Sequence, residues 1–258
     1  VSATSPASLA TVADILDHAQ QSATDVVDPP GGVDLSVTEA YAVQTALINR
    51  RLSRGEAITG VKLGFTSKAK MRQMGVSDVI VGRLTDAMRI PDDGAVHLDA
   101  LVHPKVEPEI AFRLARDIDT ADPNADIEGA VDAVAAAIEV IDSRYRDFLF
   151  TYPGVIADNT SAAGYAVGPW HPITDAANRA VRLIAPGGTE IGSTAAILGH
   201  PIRALYALLS MCRQRRIELR KGYVVLAGAA TAAIALTEGV VRCDVTGVGS
   251  VQLRGVMP

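Results

Sequence analysis

Val106-Glu107-Pro108-Glu109-Ile110-Ala111-Phe112 and, further along, Glu139-Val140-Ile141-Asp142-Ser143-Arg144 are the stretches that organise this chain. Both read as β-strands, because strand-forming residues flank the charged positions. Side chains two apart on a strand share a face, so Glu107 and Glu109 can converge on one point. A neighbouring strand carrying Glu139 brings a third carboxylate there. Three such groups repel one another unless a cation sits among them, and an all-oxygen ligand set suits Mg²⁺ or Mn²⁺ better than zinc or copper. Solvated edge charges are the plainer alternative for any Glu-x-Glu pair. Val106, Ile110 and Phe112 around the pair, and the apolar run 131–138 leading into Glu139, argue instead for charge beside a core, where it needs a partner.

The 258 residues suffice for one large domain, or a domain with a smaller N-terminal cap. With 48% hydrophobic and 21% charged residues, the chain can bury a substantial core, and disorder is not expected. A net charge of −5 with no basic face argues against nucleic acid as a partner. The densest basic patch, Arg213-Gln214-Arg215-Arg216, ends an expected helix, where cations complement the helix dipole. Two cysteines, Cys212 and Cys243, lack the number and spacing of a metal site or disulfide framework, so a reducing, cytoplasmic location is expected. The first residues lack a signal-peptide pattern and no apolar run approaches roughly 18 residues, so no membrane association is expected.

A helix is expected over 8–23, then a Pro/Gly loop at Asp28-Pro29-Pro30-Gly31-Gly32. Ser36-Val37-Thr38-Glu39 reads as a capping box opening a second helix, with Ala40, Val43 and Leu47 as its buried stripe. Gly60-Val61-Lys62-Leu63-Gly64 reads as a strand, and 68–74 as a short helix closed by Gly75. Strands are expected near 95–98, 106–114, 139–143, 180–184, 223–227, 240–245 and 250–253, with helices at 127–138 and 201–215. Pro186-Gly187-Gly188 marks a hairpin turn. Many short strands with few helices between them do not make a βαβ repeat. The expected architecture is α+β: a mixed, mostly antiparallel β-roll (84–258) preceded by a helical N-terminal region (1–83).

Four ordered motifs carry a specific resemblance. Lys62-Leu63-Gly64-Phe65-Thr66-Ser67 continuing to Gly75, His103-Pro104-Lys105-Val106-Glu107-Pro108-Glu109, Glu139-Val140-Ile141-Asp142-Ser143-Arg144 and Ala157-Asp158-Asn159-Thr160-Ser161 occur in this order. Together with the segments around Gly228 and Gly249, they resemble the 4-oxalocrotonate decarboxylase and 2-oxopent-4-enoate hydratase branch of the fumarylacetoacetate hydrolase superfamily. The resemblance implies that superfamily's β-roll, a Mg²⁺ or Mn²⁺ site on Glu107, Glu109 and Glu139, and a small 2-oxo dicarboxylate substrate. It also implies a homo-oligomer and association with a related hydratase. The Glu-His pair of hydrolytic members is not found, which disfavours C–C hydrolysis. Tyr145 and Phe148, and the 69–75 stretch, look closer to decarboxylases. Lys105 (usually Arg), Thr160 (usually Ala) and the apolar Ala227-Gly228-Ala229-Ala230 depart from the family pattern.

Charge counting gives further expectations. Three glutamates, a divalent cation and a substrate carboxylate leave a net −2, so a nearby cation is needed. The resemblance places Lys62 in the pocket. Arg144 is the second candidate, with a structural pair to Asp142 or Asp158 as its alternative. Ser161 and Thr231 could donate to the substrate's oxalyl carboxylate or satisfy local backbone groups. Asp86 could act as acid or base, or merely shape a turn. Tyr145, Phe148 and Phe150 could form an apolar wall against the distal carboxylate, or plain core.

Overall fold

The computed structural model describes residues 5–67, 71–72, 75, 78–173 and 175–258. Helices α1 (Pro6–Gln21) and α2 (Val37–Ser53) pack against each other at the N-terminal end. Ser36 and Glu39 form the expected reciprocal capping box, with Ser36 N donating to Glu39 Oε2 at 2.8 Å. Buried Gln44 on α2 donates to the carbonyls of Val81 and Ile156, fixing the helix to the sheet and to the short helix α3 (Tyr152–Ala157). The helix expected over 68–74 lies largely outside the described residues.

Among the described residues the strands form two sheets. The larger contains β1 (Ile58–Gly64), β2 (Ile80–Thr85), β3 (Arg89–Ile90), β5 (Lys105–Leu114), β6 (Val131–Ile141), β7 (Ala162–Val167) and β11 (Val224–Ala229) in the order β2-β1-β11-β5-β6-β7-β3. Short strands β8 (His171–Pro172) and β12 (Ile234–Ala235) add to β6 and β5. The smaller sheet contains β4 (Gly94–His97), β9 (Ala180–Ala185), β10 (Gly188–Ser193), β13 (Gly239–Val245) and β14 (Gly249–Val256), ordered β10-β9-β13-β14-β4. Pairing is antiparallel except for β1 with β11, β3 with β7 and β4 with β14. This is the mixed α+β roll that the sequence predicts, and β1 and β2 are hydrogen-bonded into its main sheet. The Pro186-Gly187 turn joins β9 to β10 as a hairpin.

One expected element is wrong in type. The 127–138 segment is not a helix: residues 131–141 form β6, the strand between β5 and β7. Its alanines favour a helix intrinsically, but from Ala133 onward every residue of β6 is buried. A strand covered on both faces shows no polar alternation, and its context overrides propensity. The other expected helix is present as α4 (Pro201–Arg215), which buries Leu205, Leu208, Leu209 and Cys212. Both cysteines are free and buried.

Candidate active site

The register of the main sheet builds the site. Glu107 and Glu139 are directly paired across β5 and β6, and Glu109 lies two residues along β5. One carboxylate oxygen from each of the three lies within 4.8 Å of the others. Glu109 and Glu139 are 1% and 0% exposed, and Glu107 9%. On the far side of β11, β1 contributes Lys62, also buried. Its Nζ sits 3.1 Å from Glu139 Oε2 and donates to the Thr160 carbonyl at 3.0 Å.

Electrostatics mark the cluster as incomplete. Burial, then repulsion from Glu139 and Glu107, pushes the Glu109 carboxyl well above the ordinary range. Burial also raises Glu139, to about 7, although Lys62 pulls it down. Burial opposes the Lys62 ammonium, but attraction to Glu139, Glu107 and Glu109 outweighs it and raises its pKa. Among the described residues, Glu109 Oε1 and Glu139 Oε1 are buried with no partner, and Glu139 Oε2 meets only the Lys62 ammonium. Such orphaned oxygens are rare and call for a missing partner. Three carboxylates and one ammonium sum to −2, which a single divalent cation cancels, and an all-oxygen set fits Mg²⁺ or Mn²⁺.

A cavity of about 440 Å³ opens beside this cluster, lined by Lys62, Glu107, Thr66, Thr160, Phe148 and Phe150 among others. Ser161 and Thr231 also line it. The Ser161 hydroxyl makes only a long contact, 3.5 Å, to Asp158, whereas Thr231 Oγ1 donates to the Ala232 carbonyl at 2.9 Å. Phe148 carries Lys105 Nζ 4.0 Å from its ring centroid.

Of the acid cluster only Glu107 lines the cavity, and three further expected residues, Arg144, Tyr145 and Asp86, stand apart from it. Arg144 is buried and held by Asp158: its Nε and Nη2 reach Asp158, and its Nη1 donates to the Asp142 carbonyl at 2.7 Å. Its structural alternative is therefore the one observed. Tyr145 is fully buried behind Phe150, with ring centroids 6.3 Å apart. Asp86 is exposed and accepts from the backbone N–H groups of Ala57 and Ala87, both at 2.9 Å, as a turn residue does.

Sequence reasoning missed what supports Lys62. Asn159, Thr160 and Ser161 are consecutive non-glycine residues at φ 47, 54 and 60°, a left-handed turn that presents the Thr160 carbonyl. The Asn159 side chain clamps Arg83 of β2, accepting from its N–H at 2.8 Å and donating to its carbonyl at 2.9 Å. Gly82 lets the turn approach, since a Cβ there would lie 2.3 Å from Thr160 Oγ1. Gly228, at φ 119°, donates its N–H to Glu109 Oε2, and a Cβ there would strike Thr66. Its place between alanines in a strand was the available signal, because an isolated strand glycine marks a close approach.

A curled mixed β-roll around a buried acidic cluster is the architecture of the fumarylacetoacetate hydrolase superfamily. Fumarylpyruvate hydrolase from Pseudomonas aeruginosa, in complex with Mn²⁺ and pyruvate, shares the fold at a TM-score of 0.58 and 15% identity, over 77% of this chain and 89% of that one. No model of a known protein family matches the chain. Curated relatives match over nearly its whole length. It is 47% identical to 4-oxalocrotonate decarboxylase of a Pseudomonas species, over 93% of this chain and 94% of that protein. It is 35% identical to 2-keto-4-pentenoate hydratase of Paraburkholderia xenovorans (strain LB400), over 85% and 84%. The solved 4-oxalocrotonate decarboxylase from Pseudomonas putida G7, complexed with magnesium and adipate, superposes at a TM-score of 0.92 with 30% identity, covering 99% of this chain and all of that one. The chain belongs to the family of 4-oxalocrotonate decarboxylases and 2-keto-4-pentenoate hydratases.

Proposed function

We propose that this protein is a magnesium-dependent lyase. It decarboxylates 4-oxalocrotonate (2-oxohex-3-enedioate) to 2-hydroxypenta-2,4-dienoate and CO₂, in the meta-cleavage breakdown of aromatic compounds. The observation that carries the reading is the buried triad of carboxylates, with orphaned oxygens, opening beside Lys62 onto a cavity with an aromatic wall. The higher identity to a decarboxylase, 47% against 35% for a hydratase, supports the choice within the family. Adipate, named with the magnesium-bound neighbour, has the same six-carbon dicarboxylate length as this substrate.

Glu107, Glu109 and Glu139 would hold the ion, which supplies Lewis acidity toward the carbonyl of a bound 2-oxo acid. Lys62, fixed by the Thr160 carbonyl, offsets the negative charge that the substrate brings. Ser161 is the better placed hydroxyl for the oxalyl carboxylate, since the Thr231 proton is already committed to Ala232. The bond that breaks is C5–C6. Its electron pair moves through the C3=C4 alkene to the C2 carbonyl oxygen, CO₂ departs, and that oxygen takes up one proton to give the dienol. Phe148 and Phe150 line the cavity. An apolar wall there disfavours a localised distal carboxylate more than the spread charge of the departing CO₂. The protein acts in the cytoplasm as a homo-oligomer and hands its unstable dienol to an associated hydratase.

Purified protein with Mg²⁺ should consume 2-oxohex-3-enedioate with CO₂ release and rising dienol absorbance, and leave 2-hydroxypenta-2,4-dienoate unhydrated. Turnover of the dienol alone would make it a hydratase. Inertness toward both compounds would end the lyase reading.

A further inference from the structure

A second cavity, of about 200 Å³, also borders β1. Val61 lines it, next in sequence to Lys62 of the first cavity. Arg83, the register partner of Val61 on β2, lines it too, with Arg216, Thr45, Asn49, Tyr223 and Glu218. The partly buried Arg83 side chain makes one hydrogen bond, from Nη1 to the neutral Gln44 Oε1 at 3.1 Å. Among the described residues, neither Arg83 nor Arg216 forms an ion pair. Glu218, the acidic group on the wall, is engaged by Arg220 at 2.9 Å.

The contrast with nearby arginines is direct. Arg51 pairs with Glu56 at 2.8 Å and Arg54 with Asp17 at 2.7 Å. Arg83 has lost much of its water without such compensation, and burial lowers its pKa. A guanidinium does not shed its proton in this range, so the charge remains and calls for an anion. Its planar fork of donors matches a carboxylate in geometry. We propose that this cavity is a binding site for a small carboxylate anion of a few carbons. Arg83 holds the anion, the exposed Arg216 adds charge, and Asn49 and Tyr223 supply further polar groups.

Malonate is a suitable probe, titrated calorimetrically into the magnesium-loaded wild type and Arg83→Gln. The wild type should show a binding event that Arg83→Gln weakens at least about tenfold, the scale of a lost charge-assisted bidentate pair. Any binding in the first cavity should persist in the variant. Crystals of the magnesium-loaded wild type soaked in malonate should show the anion against Arg83, a readout that does not depend on the variant folding. An unchanged isotherm in Arg83→Gln, or malonate confined to the first cavity, would overturn the proposal. Either failure leaves the decarboxylase reading intact, because the two cavities share no residue.

Discussion

Among the described residues, two ionic clusters lie fully inside the molecule, and they are built on opposite terms. Around Arg144, the guanidinium donates to Asp158 and to the carbonyls of Asp142, Asp158 and Ala162. Asp142 accepts from the N–H groups of Val102 and His103 at 2.9 and 2.8 Å. Around Lys62, three carboxylates face one ammonium, and among the described residues Glu109 Oε1 and Glu139 Oε1 have no partner. Depth is the same in both, yet only the first is saturated. A saturated buried pair is scaffold, whereas an unsaturated one has to be completed by something from outside the chain.

That contrast can be broken most sharply at Glu109. Glu109→Gln should abolish Mg²⁺ binding and lower decarboxylation by on the order of 10³-fold or more, equivalent to several kcal/mol of barrier. The metal-free fold should survive or gain stability, because a strained buried acid is removed. Calorimetric Mg²⁺ titration alongside thermal unfolding tests both halves. An unchanged Mg²⁺ affinity would take Glu109 out of the site.

Asp158→Asn should give the inverse result. Leaving Arg144 buried without its counter-charge should cost about 3–5 kcal/mol of stability by urea unfolding, while Mg²⁺ affinity per folded molecule stays near wild type. A stable Asp158→Asn variant would show that the Arg144 cluster is not scaffold. The smallest effect is that of pH on the metal-free protein. Glu139 titrates near 7 in the folded state against 4.5 ordinarily, so between those values the folded state holds more protons than the unfolded. Stability from this group is therefore complete below 4.5 and declines as pH rises toward about 7. Thermal midpoints of metal-free protein should fall across that window, and saturating Mg²⁺ should reduce or reverse the fall. A midpoint that rises with pH without metal would contradict the charge imbalance.

The acid triad was legible in the sequence because strand alternation is strict: Glu107 and Glu109 had to share a face once β5 was read. β6 was harder. Ala133, Ala135, Ala136 and Ala137 carry a local helical preference that only burial between β5 and β7 reverses. The turn at Asn159, Thr160 and Ser161 was invisible for another reason. None of the three is glycine, and their left-handed backbone is imposed by bonds to distant strands. The resemblance pointed to Lys62 but gave no account of what holds it.

That turn has a consequence for how the protein breathes. Asn159 is tied to β2, the Thr160 carbonyl to Lys62 on β1, and the Ser161 carbonyl to the N–H of Asp142 just beyond β6. A segment anchored to three strands has no private route to opening, so its fluctuations belong to the whole sheet. Lys62 therefore rests on a support as rigid as the fold itself, and its placement needs no loop to settle when substrate arrives.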